Sequence, residues 1–179
     1  AAGSEAPPRA VPGQAGGAYI ATSYTHSEDG FYSSGDKEYA AREPDTAAAG
    51  LDRWYEKLPA MEAAANGLKQ YGPDEADLTL FVWGSTKGAA LEAMELAKQE
   101  GLSVNVLQVL DVAPFPVQAL TKSLRHVKKS LLIEGNKTGQ LGFLLRGHLG
   151  YAVDESYLKY DSRAFTPSQI LARIKEVLG

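Results

Sequence analysis

Three groups of residues in this chain are of types that could do chemistry. Gly84, Ser85, Thr86, Lys87 and Gly88 form a glycine-bracketed turn between an apolar run and an amphipathic one. Such a turn aims backbone N–H groups and a helix start at a phosphate or carboxylate. Asp111 and Glu134 each follow an apolar run, so each stands where a strand would end. Two carboxylates at strand ends could form an acid–base pair; capping the turns that follow them is the simpler role, since acids are favoured near helix N-termini. His26, Glu28 and Asp29 share a long polar loop, and long loops in compact domains are often functional.

The turn fails the stricter tests for a nucleotide. An ATPase-type loop needs a lysine directly before its Ser or Thr and four residues between glycines, whereas here Thr86 precedes Lys87 and three residues separate Gly84 from Gly88. The dinucleotide fingerprint needs two glycines one residue apart. The residues therefore predict a strand-to-helix connection, with a small-anion module as the alternative. Asn136 and Thr138 read as cap residues, and His26, His126 and His148 have no metal-ligand spacing, so no metal site is expected.

The elements that must position these residues follow from periodicity. Leu78–Trp83, "SVNVLQVL", "SLLIE" and "SYLKYD" read as strands, each followed by a helical stretch: near Lys87–Glu100, Val117–His126, Gln140–His148 and after Thr166. Thr166 with Pro167 predicts a capped helix start, and Ile170, Leu171, Ile174 and Leu178 form its apolar stripe. Alternation of this kind implies a three-layer α/β/α domain around a mostly parallel sheet, five-stranded if "GAYIATSY" adds a strand. The regular part spans 78–179; residues 1–77 read as an extended lead-in, a polar loop, and a helical run from about Thr46 towards Gln70 with a break at Pro59.

Composition bounds the function. The chain has 179 residues and no cysteine, which leaves no thiolate to ligate an iron–sulfur cluster or act as a nucleophile. No apolar run is long enough to span a membrane and the first residues lack a signal-peptide pattern, so a cytoplasmic protein is expected. Residues 1–77 carry 6 basic and 13 acidic side chains, net −7; residues 78–179 carry 12 and 9, net +3. The cluster Lys122, Arg125, His126, Lys128 and Lys129 has no interleaved aromatics and predicts a solvated helix end rather than a nucleic-acid surface.

Taken together, "FVWGSTKGAALEAMELAKQEG", "VNVLQV" with "PFP", "LIEGNKTGQLGFLLR" and "KYDSRAFTP" resemble the C-terminal domain of the alpha subunit of 2-oxoacid:ferredoxin oxidoreductases. That family is marked by a W-G-S-T-x-G turn, an E-x-N-x-T-G-Q-L segment and a K-Y-D-x-R-x-F-T-P ending. The upstream "PPRAVPGQAGGAYIATSYTHSEDG" is similar to its lead-in and E-H-x-E-x-G loop, and the match covers most of 8–177 in order. Departures are Thr25 and Ser27 in the loop, Gly135 where glutamate is usual, and Ser162 where glycine is usual.

The resemblance implies a transketolase C-terminal-like domain in an enzyme that decarboxylates a 2-oxoacid, joins the acyl group to coenzyme A and passes electrons to ferredoxin. It implies thiamine diphosphate, Mg²⁺ and an iron–sulfur cluster in the parent complex, none of them bound by this chain. Its partners would be the remaining alpha-subunit domain and the thiamine-binding beta subunit, with ferredoxin met indirectly; a homo-oligomer is compatible. The chain would serve assembly and site closure, with His26, Glu28 and Asp29 as an access loop for substrate or coenzyme A, and would be inactive alone.

Overall fold

The computed structural model of the protein describes residues 13–16, 44–64 and 67–179. The expected strand in "GAYIATSY" and the loop residues His26, Glu28 and Asp29 lie outside the described residues. The chain divides into compact units Ala1–Leu58 and Pro59–Gly179. In the first unit α1 (Pro44–Tyr55) starts on a proline, whose missing N–H is unused at a helix start, with Asp45 in its first turn and Arg53 in its last.

The helical run expected as far as Gln70 is corrected. The helix ends at Tyr55, and α2 (Leu58–Ala64) begins afresh with Pro59 as its second residue, where proline costs no hydrogen bond. Leu68–Tyr71 is then a strand, β1. It is short and half polar, and it is held by antiparallel pairing with a strand more than thirty residues away, from Leu68↔Val109 to Tyr71↔Val106.

The remaining strands are β2 (Leu78–Trp83), β3 (Val104–Val109), β4 (Ser130–Glu134) and β5 (Glu155–Leu158). They form a five-stranded sheet in the order β1-β3-β2-β4-β5, parallel except for β1. Its crossover helices are α3 (Lys87–Gln99), α4 (Val117–Leu124) and α5 (Gln140–Leu149), and α6 (Pro167–Leu178) follows β5. The α/β/α architecture with a mostly parallel five-stranded sheet is thus present, its fifth strand supplied by β1.

Alternation along the strands divides the core into two layers. Leu78, Leu80 and Val82 of β2, with Leu131 and Ile133 of β4, pack against Ala90, Ala93 and Ala97 of α3 and Ile170, Ile174 and Val177 of α6. Phe81, Leu107 and Leu132 point the other way, onto Leu120 of α4 and Leu141 and Leu145 of α5. Both faces of the sheet are covered, and for that reason β2 and β4 are near-continuous apolar runs. At the start of α6 the Thr166 side chain accepts from Gln169 N while the Gln169 side chain accepts from Thr166 N, the reciprocal capping box. Among the described residues no helix is long and apolar enough to cross a membrane.

Candidate functional site

The chain leaves β2 towards β3 on one side and leaves β4 towards β5 on the other, so the crevice between β2 and β4 is the switch point of this sheet. In open parallel sheets ligands bind there, beyond the carboxyl ends of the strands. The protein's own side chains take up part of it. Glu134, the last residue of β4, is fully buried. Its Oε1 accepts from Trp83 Nε1 at 3.0 Å and from Asn136 Nδ2 at 2.6 Å. Leu141 N, in the first turn of α5, donates to both carboxylate oxygens at 2.9 and 3.1 Å.

Asn136 completes the turn, its Oδ1 accepting from Gly139 N at 2.7 Å and Thr138 N at 3.1 Å. The carboxylate thus supplies to the start of α5 what a bound anion would supply elsewhere. Glu134 and Asn136 cap the turn and helix after β4, as their positions in the sequence predict.

Asp111 does not join Glu134. β2 lies between their strands, and Asp111 is half-buried beside Gly67, its Oδ2 3.3 Å from where a β-carbon would stand. The carboxylate pair is therefore not assembled. His148 stacks on Phe115 with ring centroids 4.7 Å apart, and His126 lies 3.5 Å from Glu75.

The Gly84–Gly88 turn is a strand-to-helix connection. Gly84 has φ +56, a conformation L side chains rarely adopt, and Gly84–Thr86 make one 3₁₀ turn leading directly into α3. The Thr86 hydroxyl donates to Trp83 O at 2.8 Å, so it closes the turn. Lys87 leans towards the Tyr71 ring, 5.9 Å from its centroid. Ser85 and Thr86 do face a cavity of about 440 Å³, whose other walls are Gly135 and the loop after β5, including Lys159 and Arg163.

That loop is the "KYDSRAFTP" text of the resemblance, though none of its residues was a candidate site residue. Lys159 Nζ donates to Asp161 at 2.8 and 2.9 Å with its side chain only 10 % exposed. This bond, helped by Arg163 N donating to the same carboxylate, holds Asp161 below the usual carboxylate range. Ser162 has φ +65, the left-handed region, which accounts physically for glycine being usual at that point of the resemblance. A β-carbon on Gly135 would meet nothing within 4 Å, so a side chain there has room. The signal in the sequence was the close Lys-x-Asp-x-Arg spacing.

Among the described residues no group of His, Asp or Glu is placed to hold a metal. Glu134 is not placed to serve thiamine diphosphate or Mg²⁺, because its buried carboxylate already has three donors.

Comparison with known proteins agrees with this architecture. The family described as "Pyruvate:ferredoxin oxidoreductase core domain II" matches residues 76–170. The chain is 33% identical over 123 residues to the 2-oxoacid:ferredoxin oxidoreductase 2, subunit alpha, of Aeropyrum pernix, covering 69% of this chain and 18% of that protein. It therefore spans less than a fifth of that relative's length. The 2-oxoglutarate:ferredoxin oxidoreductase of Magnetococcus marinus, solved with 2-oxoglutarate, coenzyme A and succinyl-CoA bound, superposes with a TM-score of 0.66 at 27% identity, covering 94% of this chain and 28% of that one. A transketolase mutant of Pichia stipitis shares the fold, with a TM-score of 0.50 at 19% identity over 66% of this chain and 19% of that one.

Proposed function

Because the chain belongs to the pyruvate:ferredoxin oxidoreductase core domain II family, we propose that it is the C-terminal domain or a short subunit of a thiamine-dependent 2-oxoacid:ferredoxin oxidoreductase. The parent reaction converts a 2-oxoacid, coenzyme A and oxidised ferredoxin into acyl-CoA, CO₂ and reduced ferredoxin. Bound elsewhere in the complex, thiamine diphosphate with Mg²⁺ supplies the carbanion-stabilising chemistry and an iron–sulfur cluster carries the electrons. This chain supplies assembly and closure of the site.

The observation that carries the reading is the family match over residues 76–170. At the end of β4, Trp83, Asn136 and the start of α5 are tied to the buried Glu134, so that carboxylate is committed to structure and not to catalysis. The closing contribution falls to His26, Glu28 and Asp29. The partners are the remaining alpha-subunit domain and the thiamine-binding beta subunit.

Reconstitution tests the reading. Alone, the chain is expected to oxidise no 2-oxoacid; added to the remaining alpha-subunit domain and the beta subunit, it should restore coenzyme A-dependent ferredoxin reduction. His26→Ala should lower turnover of the reassembled enzyme without altering the isolated chain's folding, as changes in closing loops do. Turnover by the isolated chain, or full activity without it, would overturn the assignment.

A further inference from the structure

Within residues 67–179 the exposed large apolar side chains are not scattered. They are Leu110, Val112, Val117, Phe143 and Tyr160, with Phe143 75% and Tyr160 62% exposed. Leu110 and Val112 follow β3, Val117 opens α4, Phe143 lies near the start of α5 and Tyr160 follows β5, so all five stand at the carboxyl end of the sheet. Val112 and Phe143 share a shallow groove of about 320 Å³ with Leu144 and Trp83. Trp83 is held there by its hydrogen bond to Glu134, so the groove floor is rigid. Beside these residues stand Lys137, whose Nζ is 5.6 Å from the Tyr160 ring centroid, and Arg163. Neither has a carboxylate partner among the described residues.

We infer that this edge is the face on which the domain docks the remainder of a 2-oxoacid:ferredoxin oxidoreductase alpha chain, which presents there an apolar centre flanked by carboxylates. The inference rests on the assembly reading above and names its surface. The matched segments are 18% and 17% of the Aeropyrum and Saccharolobus solfataricus alpha subunits, so most of each such chain lies outside this domain and meets it somewhere. Clustered apolar area rimmed by charge marks such a contact, and an anchored aromatic at its centre carries most of its energy.

The test adds the full chain to the Aeropyrum alpha subunit from which the segment matching this chain has been deleted, and follows binding by calorimetry. A one-to-one complex is expected. Phe143→Asp and Val112→Asp should each weaken it about tenfold or more, and Arg163→Glu should weaken it in a salt-dependent way. Lys128→Glu, at the other end of the sheet, should stay within about twofold. Circular dichroism shows whether each variant folds, and Phe143 is too exposed for its loss to disturb the core.

If a complex forms but both apolar-to-acid variants bind like the wild type, this face is wrong while the assembly reading stands. If the wild type forms no complex, both fall. If sedimentation shows a homodimer that Phe143→Asp dissolves, the face belongs to a second copy and the assigned occupant is overturned.

Discussion

The two ends of this sheet are built by different physics. At the amino end, charges meet: Lys128 with Asp77, Arg173 with Glu155 and Glu176, and Lys175 with Glu100, while His126 Nδ1 lies 3.5 Å from Glu75. Lys129 donates to Val177 O in the last turn of α6, which satisfies a helix-end carbonyl and suits the helix dipole. Of the basic cluster in the sequence, His126, Lys128 and Lys129 enter these contacts, while Lys122 and Arg125 are exposed. At the carboxyl end most of the polar work is internal, centred on Glu134, and the outer surface exposes Leu110, Val112, Phe143 and Tyr160 beside the Lys159–Asp161 pair. An edge that is ion-paired with itself is finished in water. An edge that buries its carboxylate and exposes Phe143 is prepared for a neighbour.

The largest expected effect tests whether Glu134 is the structural centre of the carboxyl end. Glu134→Ala leaves Trp83 Nε1, Asn136 Nδ2 and Leu141 N without their acceptor. Unpaired buried donors cost about 1–3 kcal/mol each, so a loss of about 3 kcal/mol or more is expected in urea unfolding. Glu134→Gln keeps an acceptor oxygen and should fall between. A loss below about 1 kcal/mol for the alanine variant would mean that water replaces the carboxylate and that the crevice is open to ligands.

A smaller effect of opposite sign is expected at Ser162. Its φ of +65 costs a residue with a β-carbon about 1 kcal/mol relative to glycine, while glycine loses part of that advantage to chain entropy. Ser162→Gly should therefore stabilise the protein by about 0.5 kcal/mol, and a β-branched residue at 162 should destabilise it by more than that. Equal stability of the Ser and Gly proteins would show that the loop relaxes, and the Lys159–Asp161 anchor would lose its significance.

How much of this was legible in the sequence depended on whether the deciding contact was local. β2 to β4 and the helices after them are set by runs of apolar residues and their spacing, and they are found where the pattern puts them, whereas β5 ends at Leu158 and the rest of the expected "SYLKYD" strand is a loop in which Lys159 pairs with Asp161. The Thr166 cap and the Glu134–Asn136 turn bind within a few residues and were equally readable. β1 was missed because Lys69 and Gln70 give it no apolar pattern and its partner, β3, is distant in the chain. Trp83 was read only as the end of a strand because nothing in a strand-end tryptophan announces that its N–H meets a carboxylate 51 residues on. Asp111 misled for the converse reason: following an apolar strand says nothing about which strand intervenes.

The smallest effects compare the ion pairs of the two ends. Lys128 and Asp77 are 60% and 59% exposed at 3.1 Å, and such pairs are worth about 0.5 kcal/mol and are screened by salt. A double-mutant cycle with Lys128→Ala and Asp77→Ala should return a coupling of that size that fades as salt is raised. Lys159–Asp161 differs because the ammonium is largely withdrawn from water although its partner is not. Asp161 is held below its ordinary range, so the folded protein keeps this carboxylate charged after the unfolded chain has begun to protonate its own. The resulting stabilisation is complete above pH about 4 and is lost as pH falls through the lowered value. Asp161→Asn should remove that part of the acid limb of a stability–pH curve, and Asp77→Asn should change it much less. If the two variants gave the same acid limb, the pairs would be equivalent, and the difference between the two ends would reduce to their apolar surfaces and the buried Glu134.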